Sequence, residues 1–62
     1  MCLSTVYKNN MEPSNVAMRN VMHIQCKDGK VILTDLMERQ VEIQGFLLEA
    51  NLVDGFVVVK EN

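Results

Sequence analysis

The chain is poor in the residues that most active sites are built from. Its 62 residues include one histidine, two cysteines, three glycines, one proline and no tryptophan. One histidine, with no Ser-His-Asp set and no Gly-rich phosphate loop, leaves no catalytic constellation to assemble. Glu38, Glu42 and Glu49 then read as a solvated face, and the chain is not expected to be an enzyme. Two cysteines cannot staple a disulfide-dense scaffold. The six Lys and Arg are scattered among eight acids, with a formal charge of −2 and a sequence pI of about 5.1. That balance lacks the basic stripe that nucleic-acid binding normally shows. No apolar stretch approaches the ~20 residues of a membrane span. Residues 1–8 lack both the basic and the continuous apolar region of a secretory leader. The expectation is a soluble, cytoplasmic protein with both thiols reduced.

What is present is aliphatic. Hydrophobic residues make up 48% of the chain, but only one Tyr and two Phe contribute, so Val, Leu, Ile and Met must form the core. The length allows one domain, residues 1–62. A chain this short buries only about 60% of the surface that its unfolded form exposes. Proteins of this size commonly add a metal, a disulfide or a partner chain.

Two Asp-Gly pairs, Asp28-Gly29 and Asp54-Gly55, each stand between apolar runs. Asp-Gly is a strong hairpin signal, because a type I′ turn needs φ > 0 at both central residues. Val21 to Lys27 alternates, with Met22, Ile24 and Cys26 on one face and Val21, His23, Gln25 and Lys27 on the other. Lys30 to Leu36 forms its return strand. Leu47 to Val53 and Phe56 to Lys60 form the second hairpin. Leu3 to Lys8, Val16 to Met18 and Val41 to Ile43 complete six or seven short strands. Asn9 to Asn15 is a loop, since Pro13 and the asparagines favour turns. No segment of 11 or more residues holds a helical period. The fold class is therefore all-β, a small, partly open barrel of antiparallel strands. Phe56-Val57-Val58-Val59 is apolar on both faces of its strand. One barrel has one inside, so the second face predicts cover by a symmetric partner chain, a homodimer.

Cys2 is the leading candidate for chemistry. A thiolate suits nickel, copper(I) and zinc. The nitrogen beside it, the Cys2 amide or its amine if Met1 is removed, can close a five-membered chelate ring with the sulfur, and a retained Met1 leaves its own amine available as well. A nitrogen-plus-thiolate set favours planar, four-coordinate Ni(II), and a two-fold axis near two such termini would supply two sulfurs and two nitrogens. The competing reading makes Cys2 a small buried hydrophobe at the start of a strand. His23 and Cys26 form a His-x-x-Cys spacing, half of a four-ligand zinc site, but residues three apart on a strand point to opposite faces. Cys26 is expected in the core beside Ile24, and His23 on the solvated face. The five methionines show no clustered spacing, and the internal ones read as packing residues.

These features together resemble the CooT family, nickel-binding accessory proteins linked to maturation of nickel-dependent carbon monoxide dehydrogenase. The resemblance starts at Met1-Cys2. It continues through Asn20-Val21-Met22-His23-Ile24, the Asp28-Gly29 turn, Val31 to Leu36 and Gly45, and it closes with Leu52-Val53-Asp54-Gly55 and Val57-Val58-Val59. It implies an SH3-like barrel, a homodimer, and one nickel ion bound through Cys2, with carbon monoxide dehydrogenase or its maturation machinery as partner. It assigns no role to His23 or Cys26. The alternatives are an Sm-like nucleic-acid-binding barrel, which the acidic pI opposes, and a metal-free module that docks through Phe56 to Val59.

Overall fold

A computed structural model describes residues 3–62. Five strands follow in order: β1 (Ser4–Lys8), β2 (Val16–Lys27), β3 (Lys30–Asp35), β4 (Gln40–Asn51) and β5 (Phe56–Glu61). They close into a barrel in that order. A single 3-10 turn, Pro13–Asn15, interrupts the loop between β1 and β2. No helix among the described residues is long and apolar enough to cross a membrane.

Closure depends on the two 12-residue strands. The first part of β2 pairs with β1, Ser4 opposite Val21 and Tyr7 opposite Val16. Its second part pairs with β3, from Val21–Asp35 to Lys27–Lys30. β4 likewise pairs with β3 as far as Gln44 and then, from Gly45, with β5. The last seam is parallel, with Val6 opposite Val57 and Tyr7 opposite Val58. Each long strand thus belongs to two sheets in succession and must bend sharply between them. In β2 the bend uses Asn20, at φ 57°, and an extra residue at Met22 that has no partner on β3. Such bulges bend a strand and raise its twist. In β4 the bend is at Gly45, where a Cβ would overlap the Lys60 carbonyl oxygen.

The bends explain where the sequence reading needs correction. There are five strands rather than six or seven, because Val16 to Met18 is continuous with Val21 to Lys27, and Val41 to Ile43 with Leu47 onward. The barrel is closed rather than partly open. The bulge at Met22 reverses the alternation of β2, so Val21 is buried while Met22 is 47% exposed. Cys26 is exposed instead of lying in the core. It stands opposite the buried Val31, but β1 has ended its pairing at Val21, so only β3 flanks this end of the hairpin.

The core is aliphatic as composition requires: Val6, Val21, Val31, Leu33, Ile43, Val57 and Val59. β5 runs between β1 and β4. Val57 and Val59 point inward, and Val58 is also buried, at 6% exposure, between its register partners Tyr7 and Glu49. The strand expected to need a partner's cover is therefore covered within its own chain.

The first hairpin is as expected. Asp28 and Gly29 have φ of 53° and 75°, the I′ signature. The second differs. β4 stops at Asn51 and a four-residue turn leads to Phe56. The Asn51 side-chain oxygen accepts hydrogen bonds from the N–H of Val53 (3.2 Å) and of Asp54 (2.8 Å). This side-chain-to-backbone closure makes Leu52 and Val53 turn residues, exposed at 72% and 92%.

Candidate functional site

Met1 and Cys2 lie outside the described residues, which begin at Leu3. β1 begins at Ser4, which is buried and opposite Val21. The Ser4 end of the strand borders a cleft of about 240 Å³, whose walls include Met22 and His23 from β2 and Leu52 from the turn after β4.

The bulge at Met22 lies in the wall of this cleft. It brings the thioether side chain of Met22 and the imidazole of His23 to its edge. His23 is exposed, as the sequence predicts. Cys26, at the far end of the same strand, is a free thiol. Among the described residues, no three His, Cys, Asp or Glu side chains come together in a group that could hold a metal ion. His23 and Cys26 therefore do not form a site by themselves.

A second polar constellation was not found from sequence. Asp35 ends β3 with its side chain 4% exposed. Its Oδ1 accepts hydrogen bonds from the N–H of Met37 and of Arg39, each at 2.9 Å, and its Oδ2 accepts one from Arg39 Nε at 2.8 Å. Burial pushes the Asp35 carboxyl up. The hydrogen bonds from Arg39 and Met37 and the nearby guanidinium charge outweigh it and hold the group below its ordinary value. The available signal was an aspartate at a strand end followed by a short polar connection, the setting in which Asp closes a turn on its own backbone.

A third feature is apolar and exposed. Phe46, Leu47 and Leu48 on β4 are 54%, 40% and 52% exposed, and Leu52 and Val53 extend this run into the turn. Leu48 is the unpaired residue between Leu47–Val59 and Glu49–Val58, a bulge that leaves it on the outside. Leu52 belongs both to this run and to the cleft beside Ser4.

No curated protein matches the chain in sequence. In structure it is similar to a candidate CooT from Carboxydothermus hydrogenoformans, solved by crystallography, with a TM-score of 0.84 and 13% sequence identity over 98% of both chains. At that identity the likeness shows a shared fold. The sequence profile of the CO dehydrogenase accessory protein CooT matches residues 1–60. With that match spanning nearly the whole sequence, the chain belongs to the CooT family of CO dehydrogenase accessory proteins.

Proposed function

We propose that this chain is a nickel-binding accessory protein, a metallochaperone or nickel reservoir, and not an enzyme. It supports nickel insertion into carbon monoxide dehydrogenase in the cytoplasm. The observation that carries this reading is the family match, which begins at residue 1 and so includes Met1 and Cys2. Cys2 supplies a thiolate. The Cys2 amide, or the amine of Met1, supplies the nitrogen. The donor chemistry of such a set suits Ni(II). The described residues offer no rival cluster of metal ligands.

The site is shared across a homodimer. What supports the dimer is the run from Phe46 to Val53, which leaves five large apolar side chains exposed, and not the buried strand Phe56–Glu61. Exposed apolar patches of this kind mark association surfaces, and a two-fold contact uses the same patch on both copies. Leu52 belongs both to this surface and to the cleft beside Ser4, so pairing through it would set the Ser4 ends of two copies near one axis.

The test is a Ni(II) titration followed by ultraviolet–visible absorption, on the natural chain and on Cys2→Ser, with a native mass. Sulfur-to-nickel charge-transfer bands that saturate near one ion per two chains, and vanish in Cys2→Ser, are expected. Equal binding by both proteins would remove Cys2 from the site. Acetylating the Met1 amine separates the nitrogen donors, since unchanged affinity leaves the Cys2 amide.

A further inference from the structure

On the side of the barrel where β3 turns into β4, Arg19 and Arg39 line one cleft of about 590 Å³. Arg19 stands one residue before the bend in β2 at Asn20. Arg39 is held from beneath, because Asp35 accepts from its Nε and from its own backbone N–H. That grip fixes the root and orientation of the guanidinium but leaves its side chain 75% exposed. Among the described residues, the Asp35 side chain engages only the Nε of the guanidinium and leaves its two terminal nitrogens without a hydrogen-bond partner. Arg19 makes no ion pair among the described residues. Arg39 serves the Asp35 turn through its backbone and Nε, but neither the nickel reading nor the barrel fold uses its terminal nitrogens or Arg19.

The charge on the walls selects the ligand. Two guanidinium groups and the single lining carboxylate, Asp35, leave one net positive charge among the described residues of the cleft. A monoanion neutralises that local charge, whereas a phosphate dianion would leave one negative charge in excess within the cleft. An arginine fork matches a carboxylate in its plane through two parallel hydrogen bonds. Met18 and Val41 add apolar wall to the same cleft, which suits a short hydrocarbon stem behind the anionic head.

We propose that the cleft between Arg19 and Arg39 binds a carboxylate carried on a short aliphatic stem. The chemistry is shared by a glutamate side chain of a partner protein and by a small free carboxylic acid. Arg39, preorganised by Asp35, receives the carboxylate. Arg19 closes over it, and Met18 and Val41 contact the stem.

The test follows the amide resonances of Asn20 and Gln40 in ¹⁵N-labelled full-length protein at constant ionic strength. The probes are sodium butyrate, an acetylated and amidated Ala-Glu-Ala peptide, sodium phosphate and sodium chloride. Saturable shifts with the peptide alone assign the site to a protein-borne carboxylate, and saturation with butyrate assigns it to a free acid. Arg19→Gln should weaken the binding about tenfold, the worth of one charge-assisted hydrogen bond. Arg39→Lys keeps the charge and loses the fork, and should weaken it about threefold or more. Because Arg39→Lys also alters the Asp35 turn, Arg19→Gln is the variant that decides. Shifts that fail to saturate, that chloride reproduces, that phosphate produces at lower concentration, or that survive Arg19→Gln would overturn the proposal.

Discussion

Arg39 holds Asp35 at both oxygens: its backbone N–H donates to Oδ1 at 2.9 Å and its Nε donates to Oδ2 at 2.8 Å. The Asp35 N–H in turn donates to the Arg39 carbonyl at 3.0 Å. The two residues therefore fasten the start of β4 to the end of β3 across Leu36, Met37 and Glu38, the last of which sits at φ 64°.

This clasp predicts a dependence of stability on pH. The folded state holds the Asp35 carboxyl below its ordinary value, so folding favours the ionised form. Its contribution is fully present above the unfolded value, near 3.9, and is lost as pH falls through the lowered folded value. Asp35→Asn should melt at a lower temperature than the natural protein at neutral pH. The gap should narrow on acidification. Thermal melts across that range check this, and a gap that stays constant to the lowest pH would sink the assignment.

Two glycines should respond differently to alanine. Gly29 needs a positive φ, but a Cβ there meets nothing within 4 Å, so Gly29→Ala should cost about 1 kcal/mol of conformational strain. At Gly45 the added methyl group collides with the Lys60 carbonyl, which belongs to the backbone and cannot rotate away. Gly45→Ala should cost about 3 kcal/mol or more. Urea unfolding of the two variants gives the order, and equal losses would show that β4 can bend elsewhere.

Burial sets apart two valines of similar sequence context. Val57 is fully buried and Val53 is 92% exposed. Val57→Ala should destabilise the fold by about 2 kcal/mol, from lost transfer energy plus a small cavity. Val53→Ala should change chemical stability by no more than about 0.5 kcal/mol. Denaturant midpoints at matched slopes decide it.

The proposed dimer surface makes its own prediction. Leu48→Glu places a charge on a side chain that is 52% exposed in the barrel, so the fold should survive. Between two copies the same charge would be buried without a partner. Native mass and sedimentation should then shift from dimer to monomer, and the nickel stoichiometry should lose its one-per-two value. A dimer that persists in Leu48→Glu with unchanged affinity would move the interface away from β4.

Several parts of the fold were legible in the residues. Asp28-Gly29 specified its turn because only residues tolerant of φ > 0 fit both central positions. The buried pair Ser4 and Val6 follows directly from the alternation of β1. Alternation failed where a strand carried an extra residue. Nothing local marks Met22 or Leu48 as bulged, since each depends on how the facing strand is registered. Cys26 keeps the alternation of Ile24 but lies beyond the end of the β1 pairing, and Val58 is covered by Tyr7 and Glu49, so both outcomes depend on neighbouring strands that no local pattern encodes.

The candidate site divides the same way. A thiol on Cys2 with a backbone nitrogen of the same residue is a matter of covalent sequence. So are the aliphatic core, the scarcity of catalytic groups and the family match from residue 1 to 60. Tertiary structure alone decided that two bent strands would close five segments into a barrel, since closure depends on long-range pairing between β1 and β5 that no local pattern encodes. It also decided that Val58 would be covered while Phe46, Leu47 and Leu48 would not. And it brought Arg19, Asp35 and Arg39 to one cleft, because hydrogen bonds between strands set which distant residues become neighbours.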